Sequence, residues 1–339
     1  MIKLTGVTQN DLLLRLNEKE RRPFVCSSSS EGWTPILAWE PSAVLAIKEH
    51  DQDHANQIQD FVSHQQQINR LVTGYLSYEY GCLLHKMAPR GIDKLEVPLV
   101  YMMSFNNWIQ FENDYALVYA SDQRYIDEVN AILKRPKKTV GQGTPIVEPI
   151  PTISRQDYSA SFKSIKNYIK EGDVYQVNLT HRLEGKTIET GRDLFFQIST
   201  KTQAGFQAYI EDPEFEILSF SPERFVSIKN GLIKTEPIKG TRPRGKTKAE
   251  DNDLADDLKN NPKDLAELNM ITDLMRNDLG KICLPGTVKV TQKRIIKSYP
   301  TLWHANSIIS GELDPNTHPI TALASISPGG SVTGCPKKR

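Results

Sequence analysis

From residue 22 to about 120, short runs rich in aromatic and β-branched residues alternate with polar turns, among them Trp33–Trp39, Leu71–Ser77 and Trp108–Glu112. Runs of that length between turn formers predict strands, and a sheet is expected there. Lys134 to Thr152 breaks the pattern with four prolines, two glycines and the pair Lys137-Lys138. Such a stretch reads as an exposed connector. It divides an N-terminal β-rich subdomain, 1–133, from a second domain, 153–339. Beyond it, Tyr158, Phe162, Ile165 and Ile169 recur at helical spacing behind the candidate caps Ser154 and Asp157, and Gly172 closes the run. Val174–Thr180 is strand-like, Arg192–Lys201 is helical, and further strands follow up to residue 241. The pattern is α+β with substantial antiparallel sheet.

The dipeptide Asn230-Gly231 between two β-prone runs predicts a hairpin. That hairpin brings Glu223 and Lys239 to the same end of its two strands. A strict two-residue turn would pair Glu223 with Ile238, whereas a three-residue loop with a bulge would set Glu223 opposite Lys239. Periodicity does not choose between them. Pro222 and Pro237 argue against a regular ladder, and Gly240 after the lysine permits close approach of backbone to ligand. A lysine beside a carboxylate in a partly dry cleft can act as a nucleophile once neutral, with the carboxylate moving its proton. The competing reading is a surface ion pair.

Asn261-Pro262 supplies a cap and a first-turn proline, and Gly280 can end the run, so 262–279 is predicted helical. Glu267, Ile271, Leu274 and Asp278 share one side of it, placing Glu267 among apolar neighbours. Mg²⁺, which takes one or two carboxylates plus substrate oxygens, is a candidate partner; pairing with Lys263 or solvent is the plainer alternative. The segment Ser325–Arg339 places Gly329, Gly330 and Ser331 ahead of basic residues. Backbone N–H groups there could receive a carboxylate, or the segment is a flexible tail. His304 after Trp303 is either a proton donor near neutral pH or a packed histidine.

Composition narrows the possibilities. The chain has 339 residues, 38% hydrophobic and 24% charged, enough for one large domain or two ordinary ones. A net charge of +1 gives no overall field for nucleic acid or an anionic membrane. Cys26, Cys82, Cys283 and Cys335 are dispersed, without zinc spacing or a disulfide framework, so reduced thiols are expected. The start lacks a signal-peptide h-region and no apolar stretch is long enough to span a bilayer. A cytoplasmic location is expected.

Six segments in order then resemble one family: Gly172–Leu179, Ser221–Phe225 (SPERF), Pro237–Gly245 (PIKGTRPRG), Glu267-x-x-Met270, Asp273–Asp278 and Pro328–Gly334 (PGGSVTG). Their order and spacing are similar to component I of the chorismate-utilising enzymes, over residues 155 to 339, with a fainter likeness in 33–41 and 74–81. The resemblance implies an α+β fold with large antiparallel β-sheets and flanking helices, of the anthranilate synthase component I type, with its C-terminal part missing beyond Arg339. Within that superfamily anthranilate synthases carry alanine where this chain has Lys239, which points to aminodeoxychorismate synthase. Isochorismate and salicylate synthases place a water-activating lysine where Gln176 stands, so ammonia rather than water is the expected nucleophile.

By that resemblance Lys239 would attack the chorismate ring and displace the C4 hydroxyl, Glu223 would transfer protons, and ammonia would displace the lysine. His304 would lie near the leaving hydroxyl. Gly240, Thr241, Gln176, Gly329, Gly330 and Ser331 would bind substrate, and Glu267 would be a Mg²⁺ ligand. The implied activity is amination of chorismate toward 4-aminobenzoate and folate, a transaminase-class transferase fed with ammonia by a glutamine amidotransferase subunit. Anthranilate synthase component I and an inactive partner-binding fragment are the alternatives, the first disfavoured by Lys239.

Overall fold

The computed structural model describes residues 1–16, 22–27, 34–48, 54–87, 95–140, 148–202 and 204–337. They belong to two compact units, one of residues 1–80, 90–146 and 187–222, the other of 81–89, 147–186 and 223–339. Each unit is thus assembled from three separate segments of the chain. Residues 187–222 return to the first unit because Phe206–Glu211 pairs with Pro23–Ser27 on one side and Glu216–Ser221 on the other. A ladder between segments so far apart in the chain leaves no trace in local periodicity.

In the first unit, seven antiparallel strands run in the order Ile2–Thr5, Tyr115–Tyr119, Trp108–Phe111, Ile36–Trp39, Pro23–Ser27, Phe206–Glu211, Glu216–Ser221. A separate three-stranded sheet holds Ala43–Ile47, Val100–Phe105 and Leu71–Leu76. The region in which sheet is expected contributes strands to both. Trp33 lies outside the described residues, and its run is a strand from Ile36. Alternation explains the main core: along Tyr115–Tyr119 every second residue is buried. Leu12, Val25, Leu37, Ile109 and Val118 form that core with Val129 and Ile132 of the helix Gln123–Leu133.

The second unit is built on the strand Leu302–Glu312. Lys289–Ser298 pairs with one side of it, and Leu232–Glu236 and Ile238–Pro243 follow one another in continuous register, from Leu232↔Glu312 to Ile238↔Asn306. Arg224–Lys229 completes the hairpin outside Leu232–Glu236. Residues 305 and 309 of the central strand face apolar partners on two helices, Lys248–Asn260 and Pro262–Gly280: Ala305 meets Leu258 and Leu268, while Ile309 meets Ile271, Met275 and Leu279. The second helix starts as its sequence predicts, with Asn261 Oδ1 accepting from the N–H groups of Lys263 and Asp264 ahead of Pro262.

The helix at Arg155–Glu171 is capped by Ser154 and closed by Gly172 in the left-handed conformation, as expected. Its apolar stripe is not covered: no residue of this helix is buried among the described residues, and Phe162 is 52% exposed. The strand-like run at 174–180 shrinks to Gln176–Val177, paired with Gly334–Cys335. No helix among the described residues is long and apolar enough to cross a membrane. Cys82, Cys283 and Cys335 carry no disulfide.

Candidate active site

The hairpin resolves the register that the sequence left open, and takes neither expected form. Asn230 and Gly231 both have positive φ and form a two-residue turn, with Lys229 opposite Leu232. The register then shifts within Arg224–Lys229, so that Arg224 faces Glu236 rather than Pro237. The extra residue lies in the strand leading out of Glu223, not in the loop. Glu223 consequently stands opposite neither Ile238 nor Lys239 by ladder position.

A second irregularity places the lysine. Pro237 offers no N–H, and between Ile238↔Asn306 and Thr241↔His304 the strand Ile238–Pro243 holds one residue more than its partner. The bulge falls at Lys239-Gly240. Gly240 has φ +88°, and a Cβ there would lie 2.8 Å from Leu258 Cδ1 and 3.1 Å from Asp264 Cγ. Only glycine combines that backbone with that space. Ladder irregularity thus re-aims the lysine out of the sheet's alternation.

The Lys239 amine donates to the Ser331 carbonyl at 3.3 Å, and the Ser331 hydroxyl donates to Glu223 Oε1 at 2.8 Å. Ser331 therefore bridges the two groups that sequence proximity suggested would pair directly. Burial pushes the Glu223 carboxyl above its ordinary value, opposed by the Ser331 hydrogen bond, the Lys239 charge and the Ile238 backbone. A carboxyl that holds its proton more readily than usual, next to an amine hydrogen-bonded to a neutral carbonyl, is suited to exchange protons at a shared substrate.

His304 is 7% exposed on the central strand, with Nδ1 3.0 Å from Thr241 Oγ1 and the Tyr299 ring edge-on at 5.3 Å. Burial pushes its pKa down, partly offset by a hydrogen bond to the Gly240 backbone. The charged imidazolium is thereby disfavoured at neutral pH. Gly240 and Thr241 both meet the ring.

The glycine segment is an ordered loop, not a tail. Gly330–Val332 forms a single 3₁₀ turn in which Val332 and Thr333 N–H bond back to Gly329 and Gly330, so these two N–H groups are already used. Gly330 is buried so tightly that a Cβ would meet Leu274 Cδ2 at 2.2 Å. Gln176 is joined to the same loop through Cys335, and its side-chain Oε1 is buried with no hydrogen-bond partner among the described residues. A buried orphan acceptor is what a ligand or water with a free N–H or O–H would satisfy.

Glu267 lies one turn along its helix from Lys263. Its side chain is 38% exposed with Lys263 Nζ at 3.8 Å, the plainer pairing that its spacing allowed. No group of three or more His, Cys, Asp or Glu side chains able to hold a metal occurs among the described residues. One accessible carboxylate is the least that Mg²⁺ takes from protein.

Sequence reasoning missed two polar groups. Asp278, which the sequence places only on the apolar side of its helix, is 1% exposed and meets Lys281 Nζ at 2.9 Å and Lys337. Glu236 accepts from Asn306 Nδ2 at 3.0 Å and from Lys297, beside Tyr299. The buried Asp278 was signalled only by its place on an apolar helix face; the others alternate unremarkably in strands.

The fold is similar to a solved structure: anthranilate synthase component I from Streptococcus pneumoniae superposes with TM-score 0.79, covering 98% of this chain and 81% of that one at 21% identity. The chain belongs to the chorismate binding enzyme family, whose model matches residues 22–339. Among curated proteins it is similar to aminodeoxychorismate synthase component 1 of Bacillus subtilis, 32% identical over 284 residues, covering 78% of this chain and 60% of that protein. It is also similar to anthranilate synthase component 1 3 of Haloarcula marismortui, 40% identical over 177 residues, covering 52% of this chain and 35% of that protein. The chain thus spans less than two thirds of the length of these relatives.

Proposed function

We propose that this chain supplies chorismate-aminating groups of an aminodeoxychorismate synthase component, with Lys239 as nucleophile. The observation that carries the reading is a lysine delivered by a glycine bulge to a site shared with a proton-retaining glutamate. The Lys239 amine, its proton passed to Glu223, forms a bond to the chorismate ring while the C4 hydroxyl departs as water, taking that proton from Glu223. Ammonia then bonds to the ring and the Lys239 amine leaves, so that chorismate and ammonia give 4-amino-4-deoxychorismate and water. His304, neutral and fixed by Thr241, donates a hydrogen bond to the hydroxyl that leaves. Gln176 and the loop carrying Gly329, Gly330 and Ser331 bind substrate.

Glu267 would hold Mg²⁺, which when bound supplies a Lewis acid for a substrate carboxylate; no step above passes through it. A glutamine amidotransferase subunit is the proposed source of ammonia, in keeping with the component 1 names of the relatives. The test is product analysis with chorismate and ammonium salt. An amino-chorismate that appears with the native chain and is lost with Lys239→Ala supports the reading, whereas anthranilate with release of pyruvate would assign the chain to the other synthase.

A further inference from the structure

The loop that bears Ser331 is closed at both ends by one buried charge. Lys337 Nζ donates to the Ile326 carbonyl at 2.8 Å and touches Asp278 Oδ2, an oxygen for which the described residues offer no other hydrogen-bond donor. The Lys337 side chain is 11% exposed and that of Asp278 is 2% exposed, on the last turn of the helix Pro262–Gly280. Lys281 covers the other oxygen, Oδ1. Between Ile326 and Lys337 the chain is pressed on the same helix at Gly330 against Leu274, and is held from the other side by Tyr175 N–H on the Cys335 carbonyl and Asn178 N–H on the Thr333 carbonyl, each at 2.8 Å. Ser331, at the crown, makes both contacts that define the site, to Lys239 and to Glu223.

We propose that Asp278 and Lys337 are positioning residues for Lys239 and Glu223, acting through the loop they close. The proposal deepens the function given above and rests on its reading of Lys239 and Glu223 as the reacting groups. A buried ion pair is a weak source of net stability, because desolvation offsets attraction, but it holds one geometry where apolar contacts allow several. Here the geometry held is a glycine-rich segment with little side-chain packing of its own. Remove the ammonium and Asp278 Oδ2 is left buried without a donor, so the loop must open to admit water.

The experiment compares Lys337→Met and Lys337→Arg with the native chain, reading acylation of Lys239 by an amine-reactive ester through peptide mass spectrometry. Exposed Lys234 on the neighbouring strand serves as internal reference. Lys337→Met is expected to speed acylation of Lys239 relative to Lys234 by about tenfold, equivalent to about 1.4 kcal/mol of lost loop ordering. Hydrogen exchange at the Tyr175 and Asn178 amides should quicken with it. Lys337→Arg, which keeps the charge, should restore the native rate. Equal Lys239 acylation in folded Lys337→Met and native chain overturns the proposal, as does an arginine variant no better than methionine. If Lys337→Met does not fold, Asp278→Asn is judged by the same ratio: a rise supports the lock and no change overturns it. Chorismate binding by the native chain is measured in parallel; its absence removes the proposed function while the acylation comparison still decides the lock.

Discussion

Replacing Gly240 by alanine tests whether the bulge is built as described. Two costs add at that position. A non-glycine residue in the left-handed region costs about 1–2 kcal/mol, and forcing a methyl into a packed core costs about 1–3 kcal/mol more. The second applies because the new Cβ would lie 2.8 Å from Cδ1 of the fully buried Leu258 and 3.1 Å from Asp264, whose carboxylate is held by Arg242 at 2.8 Å. Gly231 provides the control: its φ is +74°, yet a methyl added there would meet nothing within 4 Å. Gly231→Ala should therefore lose only the conformational part, and Gly240→Ala about 2–5 kcal/mol in all. Urea unfolding of both variants gives the difference directly, provided the slope is unchanged. If Gly240→Ala proves no more costly than Gly231→Ala, the glycine is not packed against the helices and the placement of Lys239 by the bulge is wrong.

Other expectations follow from the same geometry. Burial raises the Glu223 pKa, so the folded chain binds the extra proton, and this group's contribution to stability is lost as pH rises from the ordinary glutamate value through the raised one. Glu223→Gln should accordingly look more favourable to stability at about pH 7 than at about pH 4 in urea titrations, while amination falls by about 10²–10⁴-fold; equal stability effects at both pH values would contradict the burial argument. His304 and His318 are both held below about 6.5 by burial, so the unfolded chain takes up protons first and stability falls as pH drops below that value. His304→Gln should flatten part of that slope, and an unaltered slope would refute the assignment. In the first unit, buried Arg192 donates to Glu211 at 2.9 Å and to the Leu16 carbonyl, so Arg192→Met should cost about 3–5 kcal/mol in thermal or urea melts, against the few tenths expected of a surface arginine.

Much of the local structure was written in short-range signals. Ser154 and Gly172 bracket their helix, Asn261-Pro262 starts another, and Asn230-Gly231 makes the turn, because caps and turn residues act on backbone groups a few positions away. The site was legible in its residue types but not its wiring. Nothing local reveals where the two bulges fall: the one at Lys239-Gly240 is set by pairing with a strand some sixty residues later, and the one beyond Glu223 lies inside the hairpin ladder, where the Asn230-Gly231 turn does not announce it. Ser331 as the bridge, and Asp278 with Lys337 beneath it, depend on a loop folding back across the helix that sequence distance hides. The return of Phe206–Ser221 to the first unit's sheet is missed for the same reason. The apolar stripe of Arg155–Glu171 shows the converse: the periodicity is present and the helix forms, yet the face stays exposed among the described residues.

The central claim is that the amine of residue 239 becomes bonded to the substrate ring. Incubating the chain with chorismate in the absence of ammonia, quenching, and mapping peptides by mass spectrometry tests it most directly. The account predicts a mass gain of chorismate less one water on Lys239, absent from Lys234 and abolished in Glu223→Gln. Steady production of amino-chorismate once ammonia is added, with Lys239 unmodified at every time and replaceable by alanine without loss, would contradict it.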